Sequence, residues 1–299
     1  MPTIAQARTA MNRLWTLNRD AVIWRRERRR TLDRPKEYWE SLPEVVFSET
    51  TPGFFLSTGR CGTKLISDVL ARMKGVACYH APRTELVWSE RMAYEEGLEQ
   101  FEAYRTAIRV ARFELVADAY IRERRYVETN YRVTFYAPHL HDLFPRSRFV
   151  HLVRHPGSFI RSAVRHDYYG GMWTDIGRIR PAKGPLVERW EGMDPFAKAA
   201  WLWNETNEFI ERFKEREDGD RVLTVKAEDL FGDAATLERI LLHLELEPPS
   251  RAKIERWTAK PVNVQPGGRP VKPWTEWPEE RKAELRALLP GAARYGYSL

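Results

Sequence analysis

The six residues Arg148-Phe-Val-His-Leu-Val153 carry four apolar side chains and run directly into Arg154-His155-Pro156 and a helix-patterned segment, Gly157–His166. A strand without a solvent face must be covered on both sides, as in a parallel sheet between two helical layers. The same alternation recurs along the chain. Residues 53–58 read as an apolar strand, Gly59–Gly62 as a turn, and Thr63–Lys74 as a helix with Leu65, Ile66, Val69, Leu70 and Met73 inward. Val76–Tyr79 is a strand and Glu90–Arg112 a long charged helix; Tyr126–Thr129 is a strand followed by a helix through Leu143, stopped by Pro145. Phe196–Phe213 is a helix with Trp201 and Trp203 in the core, Arg221–Val225 a strand and Ala234–Leu244 a helix. The predicted fold class is α/β, a parallel sheet flanked by helices on both faces.

Composition narrows the function. The 299 residues suit one large domain, and two cysteines, Cys61 and Cys78, cannot form a disulfide scaffold. No apolar run approaches the ~18 residues of a membrane span, and no signal-peptide core precedes the body, so the reading is cytoplasmic. The net charge is +7, but residues 1–30 hold eight arginines against Asp20 and Glu27. The remainder is nearly neutral, which argues against nucleic acid as a partner. Residues 1–45 form a basic N-terminal helical arm in this reading and 46–299 the folded body. The arm, with Ile4, Ala7, Met11, Leu14, Leu17 and Trp24 at helical spacing, is expected to dock on its own domain or a second subunit, or to touch a membrane surface peripherally. Two long segments, Tyr168–Asp194 and Pro261–Pro278, read as lids or binding loops.

Chemistry concentrates at two strand ends. Gly59-Arg60-Cys61-Gly62-Thr63-Lys64 stands between a strand and a helix, where backbone amides and a helix N-terminus hold an oxyanion. Leu65 follows the lysine, so the magnesium-binding hydroxyl of a Walker A loop is missing. Cys61, in such a loop, is expected to have thiolate character. Arg154 ends the strongest strand and Ser162 lies two turns into the next helix; both can face one phosphate, because open α/β sheets bind ligands at the carboxyl ends of their strands. His139, His141, His151 and His155 lack the spacing of a metal site, and no metal is expected.

With both motifs in order, the sequence resembles the sulfotransferases that use 3′-phosphoadenosine 5′-phosphosulfate (PAPS). Ser57-Thr58-Gly59-Arg60-Cys61-Gly62-Thr63-Lys64 is similar to their 5′-phosphosulfate loop, and Arg154-His155-Pro156 with Ser162 to their 3′-phosphate motif. Phe144–Phe149, Ala227-Glu228-Asp229-Leu230 and the final Tyr295-Gly296-Tyr297 extend the resemblance. It implies a P-loop-like sulfotransferase fold, PAPS as cofactor without metal, and adenosine 3′,5′-bisphosphate as product. Gly59, Arg60, Cys61, Gly62, Thr63, Lys64, Arg154 and Ser162 would bind the cofactor, with Arg60 also acting on the sulfuryl group. The family glutamate at the end of the second strand is replaced by Ala81, which leaves His80, Glu85 and Glu128 as candidate bases. A lysine common in relatives is Thr129 here, so one electrostatic stabiliser is either missing or replaced by Arg83 or Arg132. The acceptor is expected to be a hydroxyl, a carbohydrate or glycolipid first because Tyr168, Tyr169, Trp173 and Trp190 mix with Arg178, Arg180 and Arg189; a tyrosyl peptide or phenol fits the same composition. The rival readings are a non-catalytic relative that binds nucleotide or membrane, and a P-loop kinase.

Overall fold

Among the described residues five strands pair side by side, all parallel, in the order β2-β3-β1-β4-β5. They are β1 (Gly53–Leu56), β2 (Val76–Tyr79), β3 (Arg125–Glu128), β4 (Arg148–Val153) and β5 (Val222–Lys226). The computed structural model describes residues 34–95, 102–217, 219–231, 233–259 and 270–299, together with Val22. Most of the expected arm helix and residues 260–269 of the Pro261–Pro278 segment lie outside these residues.

In chain order the helices are α1 (Lys36–Glu49), α2 (Thr63–Leu70), α3 (Glu90–Glu95), α4 (Glu102–Ile121), α5 (Ala137–Leu143), α6 (Pro156–Arg165), α7 (Leu186–Arg189), α8 (Pro195–Arg216), α9 (Ala234–His243), α10 (Arg251–Thr258) and α11 (Glu279–Arg286). The expected boundary after residue 45 falls inside α1, whose Leu42 and Val46 are buried, so this helix packs with the body. The long helix expected over Glu90–Arg112 is described as α3 and the longer α4. After β3 the chain takes a 3-10 turn, Tyr131–Tyr136, before α5, because the Asn130 side chain accepts from the Arg132 amide and starts the tighter helix.

Alternation along the strands builds a core on each face. Phe54, Leu56, Phe149 and Val153 meet Trp203, Ile210 and Phe213 of α8. Phe55, Val150 and Leu152 meet Ile66 and Val69 of α2 and Leu237 and Ile240 of α9. His151 points into the α8 layer, fully buried, where Nε2 lies 2.9 Å from Asn207 Oδ1. Burial, with Lys214 nearby, lowers its pKa to about 4, so it is a neutral core residue. The segment Tyr168–Asp194 is less open than a lid. Tyr168, Ile179 and Trp190 belong to the main core, and the Tyr169 hydroxyl donates to the Ile179 carbonyl at 2.7 Å.

Because β2, β3, β1 and β4 run the same way, the residues after Tyr79, Glu128, Leu56 and Val153 emerge at one edge of the sheet. Close packing below that edge is tight enough to test. A Cβ on Gly53, at the opposite end of β1, would stand 2.7 Å from Leu244 Cδ2. Gly53→Ala is expected to destabilise the protein by about 1–3 kcal/mol through overpacking. In the double variant with Leu244→Ala the two losses should fall short of additivity by about 1 kcal/mol, read by urea unfolding.

Candidate active site

β1 ends at Leu56 and the chain turns through Ser57–Gly62 into α2. Gly59, Arg60 and Gly62 all have positive φ, at 75°, 59° and 89°. These positive φ values fold the loop into a tight turn between strand and helix, the position at which α/β folds present backbone amides to an anion. Gly59 is also constrained by space, since a Cβ there would lie 3.2 Å from the Tyr131 ring. Arg60 occupies a backbone region that side chains disfavour, and such strain persists where the surroundings hold it. The holding bonds are visible: the Ser57 amide donates to Thr134 Oγ1 (3.0 Å) and the Gly59 amide to Ser57 Oγ (3.1 Å). Gly62 starts α2 without a side-chain cap, which leaves the helix's leading amides facing this loop.

β4 delivers the second half. Arg154 donates from a terminal guanidinium nitrogen to the Arg60 carbonyl (2.7 Å), and its own carbonyl accepts from Trp203 Nε1 (2.8 Å). His155 caps α6: its Nδ1 accepts from the Gly157 amide (3.1 Å) while Nε2 donates to the Ser298 carbonyl (2.8 Å). Its amide donates to Glu228 (2.9 Å), whose other oxygen accepts from the Tyr297 hydroxyl (2.6 Å). The late Glu-Asp-Leu motif and the terminal tyrosine thus lock the turn that carries Arg154.

Arg60 crosses to α6. Its Nε donates to Ser162 Oγ (3.1 Å) and a terminal nitrogen lies 2.6 Å from His166 Nε2. Burial and the neighbouring Arg60 and Arg165 hold the His166 pKa below its ordinary value, so a neutral His166 accepts from Arg60 at pH 7. His166 is absent from the expected set, although its signal was present: it follows Ser162 by four residues, on the same helical face. Neither Arg60 nor Arg154 has a carboxylate partner among the described residues.

Some residues of the loop depart from expectation. Lys64 turns outward to pair with Asp68 one helical turn on. Cys61 is fully buried, with Sγ against the Gly59 carbonyl (3.1 Å). Burial raises its pKa to about 11, against the pull of Thr58, Arg154 and Arg60, so the expected thiolate is a neutral thiol. Thr63 is buried at the start of α2.

The other side of the site is built on β2 and β3. His80 follows Tyr79, half-buried, with Nδ1 3.0 Å from Thr129 Oγ1. When the Thr129 hydroxyl donates to the Tyr79 carbonyl, 3.5 Å away, the imidazole proton sits on Nδ1. Nε2 is then the basic nitrogen, and no described residue bonds to it. Burial first, then the Lys64 charge, lower the His80 pKa, keeping the ring neutral at pH 7.

Glu128 is a structural carboxylate, which corrects its place among the candidate bases. It is fully buried; Oε1 accepts from Arg112 (2.8 Å) and Asn130 (3.4 Å), and Oε2 from the Tyr126 hydroxyl (2.8 Å) and faces Arg112 Nε (2.8 Å). Burial would pull the Arg112 pKa down, but the Glu128 charge overrides it and holds it above the usual arginine value. Arg132, proposed as a substitute cation, is likewise buried in a pair with Glu90 (2.6 Å). Arg83 and Glu85 are exposed, the latter's carbonyl held by Asn130 Nδ2 (3.4 Å). Among the described residues no cluster of His, Cys, Asp and Glu has the arrangement of a metal site, and no helix is long and apolar enough to cross a membrane.

A parallel sheet with a glycine-rich loop after β1 and two guanidinium groups without carboxylate partners, among the described residues, at its carboxyl edge is an α/β architecture of the P-loop-like kind. The sequence model described as the sulfotransferase family matches residues 52–250, about two thirds of the chain, and the chain belongs to that family. No curated protein sequence matches it. Among solved structures the fold is similar to a sulfotransferase from Alicyclobacillus acidocaldarius, at 16% identity over 83% of this chain and 97% of that one, with a TM-score of 0.50. Similarity extends to the sulfotransferase domain of the Synechococcus PCC 7002 olefin synthase (18% identity, 84% and 97% covered, TM-score 0.45). It also extends to mouse sulfotransferase SULT7A1 complexed with PAP (15%, 85% and 88%, TM-score 0.42).

The contrast between buried and available charge makes a testable distinction. Glu128→Gln leaves the Arg112 guanidinium buried without its counter-charge, so the variant should lose about 3–5 kcal/mol of stability in urea unfolding. A Glu128→Gln protein of native stability that had lost turnover would reinstate Glu128 as the base.

Proposed function

We propose that this protein transfers the sulfuryl group of PAPS to an acceptor hydroxyl, with Arg60, Arg154 and Ser162 holding the donor and His80 acting as general base. The observation that carries the reading is the convergence of two guanidinium groups without carboxylate partners, one hydroxyl and a positive-φ loop at adjacent strand ends. These groups fit a bisphosphate: about two units of positive charge stand uncompensated beside amides that need an acceptor. When bound, PAPS would supply the sulfuryl group, which leaves from the bridging oxygen of its 5′-phosphate.

The protein's part is positioning and charge. Arg60 and the Gly62 and Thr63 amides would face the charge that grows on the leaving phosphate, and such preorganised donors act most strongly where charge develops. Arg154 and Ser162 would hold the 3′-phosphate and fix the register of the donor. His80, with its proton on Nδ1, has Nε2 available to take the acceptor's proton as its oxygen bonds to sulfur. Thr129, in the place where relatives have a lysine, supplies no charge; it orients the imidazole. Donor binding without metal sets this reading apart from the kinase one.

Adenosine 3′,5′-bisphosphate is therefore expected to raise the melting temperature without added Mg²⁺, and far more than 5′-AMP or ATP with Mg²⁺ does. A shift seen only with ATP and Mg²⁺ would overturn the assignment in favour of phosphoryl transfer. His80→Gln should lower kcat by about 10²–10⁴-fold and leave bisphosphate binding unchanged. In the wild type kcat/KM for the acceptor should be flat near neutral pH and fall in acid, with an inflection below 6.5, because the base works only when unprotonated and burial depresses its pKa. That acid limb should vanish in His80→Gln; if Glu85→Gln abolishes turnover instead, the base is Glu85.

A further inference from the structure

The segment that follows His80, residues 83–89, lines a cavity of about 500 Å³ that shares no residue with the anion loop, Arg154 or Ser162. Its walls are Leu86, Val87, Trp88, Tyr104, Ile108 and Trp173. A volume in this range suits a small organic ligand. Trp88 and Trp173 are 65% and 63% exposed, and their ring centroids lie 6.4 Å apart with a 42° tilt, so the two indoles form one aromatic wall open to solvent. Exposed indoles of that size on two separate chain segments mark a binding surface more than a packing residue.

The cavity and the base share a support. Thr129 holds the His80 ring, the adjacent Asn130 holds the Glu85 carbonyl at the cavity mouth, and Tyr131 lies under Gly59 of the anion loop. Three consecutive residues after β3 thus connect the imidazole, the cavity and the phosphate-binding turn. Arg112 adds a second tie: it donates to the Thr84 carbonyl (3.2 Å) while paired with Glu128. Gly177 sets Trp173 over the cavity, because its segment packs so closely on the Val87 carbonyl that a Cβ at 177 would overlap it.

The lining also says what the occupant lacks. Arg83 and Glu85 at the mouth cancel in charge, and the inner wall carries no charged group. Ser89 already shares its hydroxyl with Tyr136. The arginines that pointed to an anionic sugar are occupied or elsewhere: Arg178 is buried with Asp175 (3.0 Å) over the Tyr168 ring, Arg180 pairs with Glu191 (3.4 Å), and Arg189 lines a different cavity against α11. Of the other lining residues Arg83, Thr84, Glu85 and Tyr104 are polar, against an apolar wall of Leu86, Val87, Trp88, Ala107, Ile108 and Trp173, which favours a ligand with an apolar ring and one hydroxyl over a polyhydroxylated one.

We infer that this cavity is the acceptor site and that it takes a neutral aromatic alcohol or phenol, its ring against the Trp88 and Trp173 indoles and its hydroxyl toward His80. The inference rests on the sulfuryl-transfer reading and narrows it. The test uses 2-naphthol, with methyl β-galactoside as the sugar control, on the full chain. By calorimetry, Trp88→Ala and Trp173→Ala, both surface truncations, should each weaken 2-naphthol binding by at least about tenfold and leave binding of adenosine 3′,5′-bisphosphate unchanged. With PAPS present, kcat/KM for 2-naphthol should exceed that for the galactoside. Undiminished 2-naphthol binding in both variants, or a galactoside turned over faster, overturns the inference while sulfuryl transfer stands. Tryptophan-dependent 2-naphthol binding, without bisphosphate binding and without transfer to either compound, overturns the acceptor role together with the donor reading and upholds the aryl site alone.

Discussion

The Glu128–Arg112 pair holds the carboxyl edge of this sheet together. Two charges removed from water carry a large desolvation cost, repaid only when geometry and extra hydrogen bonds satisfy both partners. Glu128 meets that condition with bonds from Arg112, Tyr126 and Asn130. Arg112 projects from α4, Glu128 ends β3, and the same guanidinium reaches the Thr84 carbonyl. A helix, a strand and the loop beyond β2 are therefore fixed relative to one another by one guanidinium group. The shelf that carries His80 on Thr129 inherits that rigidity.

Arginines at the same edge divide into two populations. Arg112, Arg132 and Arg178 are buried and each is matched by a carboxylate, so their charge is spent inside the fold. Arg60 and Arg154 touch a hydroxyl, an imidazole and a carbonyl, none of which cancels a positive charge. Uncancelled charge beside oriented amides is what an anionic ligand needs. Neighbouring histidines respond to the same field: burial, with the arginines beside them, holds His155 and His166 below the ordinary histidine pKa, which keeps their acceptor nitrogens available. A positively charged site of this kind is thus assembled without protonated histidines, and its fixed charge varies little across neutral pH.

Electrostatics and apolar surface are kept apart along the strand order. The anion loop follows β1 and Arg154 follows β4, whereas His80 and Trp88 follow β2 at the sheet's edge, with Thr129 after the neighbouring β3; Trp173 reaches Trp88 from the segment beyond α6. Lys64 stands apart from both: its charge faces Asp68 and acts on His80 by lowering its pKa, which favours the unprotonated ring.

Strand and helix alternation, the parallel sheet, the turn at Gly59–Gly62 and the Arg154 to Ser162 spacing were legible in the sequence, because each depends on contiguous residues with a fixed local period. The chemical state of individual side chains was not. Whether Glu128 is a base or a structural carboxylate depends on Arg112, which reaches it only when α4 packs on β3. Cys61 looked reactive from its loop and is silenced by burial; Arg178 looked like a ligand group and is enclosed by Asp175 and Tyr168. His166 joined the site through a helical face, and Trp173 met Trp88 across 85 residues of chain. Local periodicity determines where backbone elements start and stop, since hydrogen bonding and apolar spacing act over a few residues. Protonation, pairing and cavity lining depend on distances between residues far apart in sequence, and only the packed tertiary structure sets those.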